Sequence, residues 1–287
     1  MILVTGATGF LGRNLCEHLA RQGYRLRALA RPTSDVTFLE ALGAEIAIGD
    51  VRDLDSVRTA LAGCDMVIHA AARFRLWGPP ELVEEINLWG TRNMLATAYA
   101  QGVRRFVHVS TIIVVGPQPP GTIITEATPY SPYHGDNYAR TKMGGERLAL
   151  SYAEIGLPVI VLRPGALYGP WGHEAALTRG RMGEVYNVSG KSITHREANE
   201  TVSRLAGKSS WRIDVPASLM INLARLLEFI ALFTQREPFY PLNLVPYVFE
   251  DWHVCSDKAR RELGFEPVSF EEGARQTLEW YGKIGFI

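Results

Sequence analysis

The stretch VTGATGFLG, Val4 to Gly12, decides how the rest of this chain is read. Gly6, Gly9 and Gly12 stand three residues apart, directly behind the apolar run ILVT. The residues that follow have the apolar spacing of a helix over 10–22. A glycine turn between a strand and a helix lets backbone N–H groups come close to a pyrophosphate. The helix start then adds its positive end to the same place. Glycines alone would be a weak signal, but between a strand and a helix they point to dinucleotide binding. Gly6, Thr8, Gly9, Phe10, Leu11 and Gly12 are therefore expected to contact a cofactor.

Outward from this loop the chain alternates short apolar runs with helical patterns. Strands are expected at 24–30, 44–50, 65–71, 104–111 and 157–165, and helices at 54–63, 80–101 and 136–155. Strands separated by helices require crossover connections and a parallel sheet. The expected fold class is α/β, a doubly wound parallel sheet of the Rossmann kind with a smaller C-terminal domain. The division is placed at 1–169 for the dinucleotide domain and 170–287 for a substrate or lid domain. In the second part, 184–190 reads as a strand and 194–207 as an amphipathic helix. Two further helices, 256–265 and 269–283, each start at a serine suited to N-capping, Ser256 and Ser269.

The 30 basic and 30 acidic residues cancel, so no global field points to nucleic acid. Cys16, Cys64 and Cys255 are too few and too scattered for a disulfide framework or a zinc cluster. They indicate a reducing compartment, and a cytoplasmic protein without a signal peptide or bound metal is expected. One segment, 216–233, is a long apolar helix interrupted by Asn222, Arg225 and Glu228. It reads as a buried helix with one wet edge, as the cover of an apolar ligand, or as a helix lying on a membrane.

The end of the second strand bears on the cofactor. An acidic residue there would hold the ribose 2′-hydroxyl of NAD. Here Ala30 occupies that place and Arg31 follows, a side chain whose planar fork suits a 2′-phosphate. NADP is therefore expected in preference to NAD, with Arg27 and Ser34 as helpers. Asp50 and Val51, after the third strand, are placed to meet the adenine. Ala70, Ala71 and Ala72, after the fourth, lie against the middle of the cofactor.

Tyr138 and Lys142, in YARTK, share one helical face at i,i+4. Taken alone, that pair is an ordinary helix surface. The motifs TGATGFLG, GDVRD, HAAA, NLWGT, HVST, YARTK and RPGALYGP, in this order over the first 170 residues, change its reading. Together they resemble the extended short-chain dehydrogenases/reductases. RFRLWGPPE and the C-terminal segments are similar to the branch with 3β-hydroxysteroid and sterol dehydrogenases, dihydroflavonol-reductase-like proteins, hopanoid-associated reductases and β-keto acid reductases.

The resemblance implies roles. Tyr138 would be the acid/base on the substrate oxygen, and Lys142 would supply a charge and hold the nicotinamide ribose. Thr111, chosen over its neighbour Ser110, would hydrogen-bond the reacting oxygen. Val109, Pro164, Gly165 and Ala166 would lie against the cofactor, and Asn87 would steady the site. His134, Asp136, Glu84 and Glu85 read as surface residues, and His69 and His108 as packed strand ends.

The resemblance also separates possible reactions. Ile112 and Ile113 follow Thr111 where sugar dehydratases carry acids. The acid that holds NAD in nucleotide-sugar epimerases is missing. A non-catalytic dinucleotide sensor would not need the tyrosine. The expectation is reversible hydride transfer to or from a secondary alcohol or ketone on a bulky apolar molecule, by a homodimer pairing through 80–101 and 136–155. One departure stands out: the connection between YGP and YNVSG is shorter than in the relatives.

Overall fold

The computed structural model describes residues 1–131, 136–167, 179–209, 215–250 and 252–283. The main strands are β1 (Ile2–Thr5), β2 (Leu26–Ala30), β3 (Glu45–Ile48), β4 (Met66–His69), β5 (Arg105–Val109), β7 (Val159–Pro164) and β8 (Val185–Val188). They form one parallel sheet in the order β3-β2-β1-β4-β5-β7-β8. β6 (Ile123–Ile124) and β9 (His253–Val254) pair separately. The order reverses between β1 and β4, the switch point at which such sheets bind dinucleotides.

Side chains alternate between the two faces, and both faces are covered. Ile2, Val4, Ala28, Ile68 and Val107 pack with Leu15, Cys16 and Leu19 of α1 (Phe10–Arg21). Leu3, Val67, Phe106 and Val159 pack on the other side. Their partners are Val57 and Leu61 of α3 (Leu54–Leu61), with Met94, Leu95 and Ala149 from later helices. A short helix, α2 (Thr37–Ala41), precedes β3.

The helix expected over 80–101 comes in three pieces. These are α4 (Pro80–Glu84), a π-helical turn (Glu85–Trp89) and α5 (Gly90–Ala100). The next helix, α6 (Asn137–Glu154), packs against the π turn. This contact explains two glycines inside α6 that would otherwise weaken it. A Cβ on Gly145 would stand 3.1 Å from the Asn87 carbonyl oxygen, and one on Gly144 3.2 Å from Leu88.

The remaining helices are α7 (His195–Leu205), α8 (Ala217–Thr234), α9 (Val245–Phe249), α10 (Asp257–Leu263) and α11 (Phe270–Lys283). Ser269 accepts a hydrogen bond from the Glu272 N–H, as a cap should. Ser256 does not cap α10. Its Oγ instead accepts the Ser189 N–H at 2.9 Å, which ties α10 to the end of β8. α8 is no core helix either, since only Ala224 and Ala231 are buried.

Candidate active site

All the strands of the main sheet are parallel, so their carboxyl ends meet on one edge. The glycine loop, Arg31, Asp50, Ala70, Thr111 and Gly165 all follow strand ends on that edge. Gly6 adopts φ +71, and a Cβ there would lie 2.8 Å from the backbone of Ala70 and Ala71. A Cβ on Gly12 would lie 2.1 Å from the Gly6 carbonyl oxygen. Glycine is thus required for the loop to fold against both β4 and α1. Gly9 is the N-cap of α1, and no side chain caps that helix start. Its first N–H groups are left for an anion. Thr8 and Leu11 are half-buried and Phe10 is exposed beside them.

Arg31 is exposed, and among the described residues its guanidinium makes no hydrogen bond or ion pair. Arg27 does not assist it. Arg27 lies within β2, where its Nε and Nη2 donate to Glu45 at 3.0 and 2.8 Å and its Nη1 donates to the carbonyls of Ala60 and Ala62. The Asp50 carboxylate is held by Arg52, which keeps its pKa below the usual range. Val51 is buried under Gly90, where a Cβ would come within 2.7 Å of it. Ala70 and Ala71 are half-buried and Ala72 is exposed.

A hydrogen-bonded chain joins the glycine loop to the π turn. Thr5 Oγ1 accepts the Ala71 N–H at 3.1 Å and pairs with His69 Nδ1 at 2.8 Å. His69 Nε2 pairs with Thr91 Oγ1 at 2.9 Å, and Thr91 donates to the Asn87 carbonyl at 2.7 Å. Because Thr91 donates to Asn87, His69 must carry a proton on Nε2, and a neutral ring then accepts from Thr5 at Nδ1. Burial, with Lys142 nearby, pushes its pKa down to about 3. Asn87 is buried and grips the backbone of Arg73, accepting its N–H at 2.7 Å and donating to its carbonyl at 3.1 Å. Its amide also donates to Thr141 of α6 at 3.1 Å.

Tyr138, Lys142 and Thr111 are all buried. The Lys142 ammonium donates to the Val109 carbonyl at 2.6 Å. An ammonium has three donors, and this is its one acceptor among the described residues. Two donors of a buried cation are left for a ligand. Burial lowers the Lys142 pKa to about 8, against the pull of Glu146. Burial also pushes Tyr138 up to about 12; Asp136 adds to this rise and the Thr111 side chain opposes it. The exposed ring of Phe74 stands edge-on to Tyr138, with centroids 4.8 Å apart. Pro164 ends β7 and is buried, Gly165 follows it half-buried, and Ala166 is exposed.

Several residues here escaped the sequence reading. Glu146 is fully buried and accepts from Ser110 at 2.5 Å, from Tyr130 at 2.8 Å, and from Arg163 at 2.6 and 2.9 Å. An arginine inside the apolar run VIVLRP was the available signal, since a buried cation needs a buried anion. Asp136 is not a surface residue. It is buried, caps α6 by accepting the Ala139 N–H at 3.0 Å, and also accepts a hydrogen bond from Tyr247. His134 lies outside the described residues.

Residues 2–196 match the NAD dependent epimerase/dehydratase family. The chain is 31% identical to sterol demethylase protein B of Methylococcus capsulatus, over 99% of each chain. That alignment runs over 327 positions, 40 more than the 287 residues of this chain, so the relative holds residues that have no counterpart here. A crystal structure designated gox2253 superposes with a TM-score of 0.83 at 30% identity, covering 99% of this chain and 98% of that one. A nucleoside-diphosphate-sugar epimerase from Pseudomonas aeruginosa superposes with a TM-score of 0.78 at 22% identity, covering 100% and 98%, a likeness of fold alone.

Proposed function

This chain belongs to the NAD dependent epimerase/dehydratase family, the extended short-chain dehydrogenases/reductases, and we propose that it is an NADP-dependent oxidoreductase acting on a secondary alcohol or ketone of a bulky apolar substrate. The observation that carries the chemistry is the buried pair Tyr138 and Lys142 on one face of α6, with Thr111 at the end of β5.

The residues present fit a nicotinamide dinucleotide. The uncapped start of α1 suits a pyrophosphate, the two spare donors of Lys142 suit ribose hydroxyls, and the unpaired Arg31 suits a 2′-phosphate. When bound, the nicotinamide supplies or accepts the hydride. Tyr138 keeps its proton at neutral pH and gives it to the substrate oxygen as negative charge develops there. The Thr111 hydroxyl donates to the same oxygen. The Lys142 charge steadies the phenolate left behind.

Two observations support an apolar substrate: the similarity to a sterol-related protein, and a cavity of about 360 Å³ beside α6. The cavity sets Leu76, Trp77, Val83 and Leu232 against Arg75, Asn137, Glu228 and Asn243, so a hydrocarbon that carries several polar groups matches its lining. Pairing of two copies through α4–α5 and α6 is part of the proposal, supported by the exposed Trp89 and Tyr99 and by Ile155 at the end of α6. Contact of α8 with a membrane is a further part.

The test is a cofactor-oxidation screen over steroid, flavonoid and β-keto acid ketones with NADPH and NADH, using Tyr138→Phe as the control. NADPH consumption by the parent and not by the variant is expected. Equal rates in both would remove the assignment.

A further inference from the structure

Helix α8 carries a surface that the described chain does not cover. Leu219, Leu226, Phe229, Ile230 and Phe233 point outward, and Phe233 is 74% exposed. Just beyond the helix, Phe239 is 94% exposed. So much contiguous hydrocarbon marks a contact with a protein or a membrane. The opposite side of the helix is narrow and faces the chain: Ala224 and Ala231 are buried, and Glu228 and Leu232 wall the cavity that Asn137, the residue before Tyr138, also lines.

The charges around this face choose between partners. The Glu228 carboxylate accepts the Leu242 N–H at 2.8 Å, and Glu237 accepts from Arg75 at 3.2 Å. Both acids are thus engaged within the chain. Arg225 and Arg236 are exposed, and their guanidinium groups have no partner among the described residues. What the face shows outward is hydrocarbon with two free cations, which complements an anionic lipid surface.

Length and composition alone would allow α8 to cross a bilayer. The packing argues otherwise. Crossing would put Arg225, near the middle of the helix, into hydrocarbon and would tear Glu228 from Leu242.

We infer that α8 lies flat on an anionic membrane, and that the cavity it walls receives its substrate from that membrane. This rests on the reading of an apolar substrate. A lipid-like molecule would then reach the catalytic tyrosine along the inner edge of the same helix without crossing water.

The experiment is vesicle flotation of the full chain, with NADPH binding followed in parallel by fluorescence. Vesicles are phosphatidylcholine alone, or phosphatidylcholine with phosphatidylglycerol at 3:1. The parent should float with the anionic vesicles and less with the neutral ones. The double variant Leu226→Glu with Phe233→Glu should bind vesicles at least about tenfold more weakly, because carboxylates replace buried hydrocarbon. Arg225→Gln with Arg236→Gln should weaken binding to anionic vesicles only, by about tenfold. All variants should bind NADPH like the parent, since these side chains lie outside the cofactor site. No flotation with either vesicle overturns docking. So does a parent that forms dimers which the Leu226/Phe233 variant dissociates, with no vesicle binding; a second copy would then cover the face. Flotation by a parent that does not bind NADPH would instead overturn the cofactor assignment and leave docking standing.

Discussion

Ser110 donates to Glu146 across 2.5 Å, and this bond leaves the neighbouring hydroxyl, Thr111, as the one available to a substrate. Thr111 accepts the Ile113 N–H only at a long 3.4 Å, and its side chain is hydrogen-bonded toward Tyr138, the group beside which the reacting oxygen would sit. Thr111→Val should therefore lose about a hundredfold or more in kcat, the scale of one lost donor to a developing oxyanion. Ser110→Ala should keep kcat within about threefold and lose about 1–3 kcal/mol of stability, because Glu146 is left a donor short. Steady-state kinetics with urea unfolding of both variants decides. A reversal of the two effects would make Ser110 the substrate-facing residue.

Tyr138→Phe removes the only proton donor placed on the active face of α6 beside Lys142. It should bind NADPH as the parent does and lose at least about a hundredfold in turnover, the low end for general acid catalysis. Single-turnover NADPH oxidation is the measurement. A variant with near-normal turnover would place the acid elsewhere.

Arg31 is exposed and unpaired among the described residues, so it is free to meet a 2′-phosphate. NADPH should bind more tightly than NADH, and Arg31→Ala should erase most of the difference. A lost charge-assisted contact costs on the order of 1.5–3 kcal/mol, roughly ten- to a hundredfold in Kd. Titration calorimetry with both cofactors tests this. Equal affinities in the unmutated protein would reject the NADP preference.

His108 is fully buried, and neither ring nitrogen has a partner among the described residues. Burial, with Lys142 and His69 nearby, holds its pKa well below 6.5. As the pH falls through about 6.5, the unfolded chain takes up this proton and the folded chain does not, so stability falls with pH. His108→Leu removes that penalty. Relative to the parent it should gain about 2 kcal/mol more at pH 5 than at pH 7.5. Urea unfolding at the two pH values measures it, and an unaltered pH dependence would show that His108 is not the acid-sensitive group.

The sheet was legible because its signals are local. Each strand is a short apolar run, and the glycine triplet marks the first crossover. Tyr138 and Lys142 were legible for a related reason, since i,i+4 spacing on one helix needs no knowledge of the rest. The residues that escaped depend on contacts across the fold. Glu146 meets Arg163 from 17 positions away, and nothing in GGERLA distinguishes it from a surface acid. Asp136 looked exposed because its neighbours are polar, yet Tyr247 reaches it from 111 positions further on. Arg27 looked like a cofactor ligand from its nearness to Arg31 in sequence, but within β2 its side chain finds Glu45 on the neighbouring strand. Ser256 had the right position for a cap and was drawn instead to the end of β8.

The π turn at Glu85–Trp89 holds one residue more than an α-helical turn would. That surplus sets the rotational phase of everything beyond it. Deleting a residue here would let the helix close into regular bonding and would swing its continuation by about 100°. Gly90 would leave Val51, and the Asn93 amide would leave the carbonyls of Val51 and Arg52, which it now holds at 3.0 and 3.2 Å. Substitutions in this segment change a contact or two, whereas a change in its residue count would turn a whole helix face away from Val51 and Arg52.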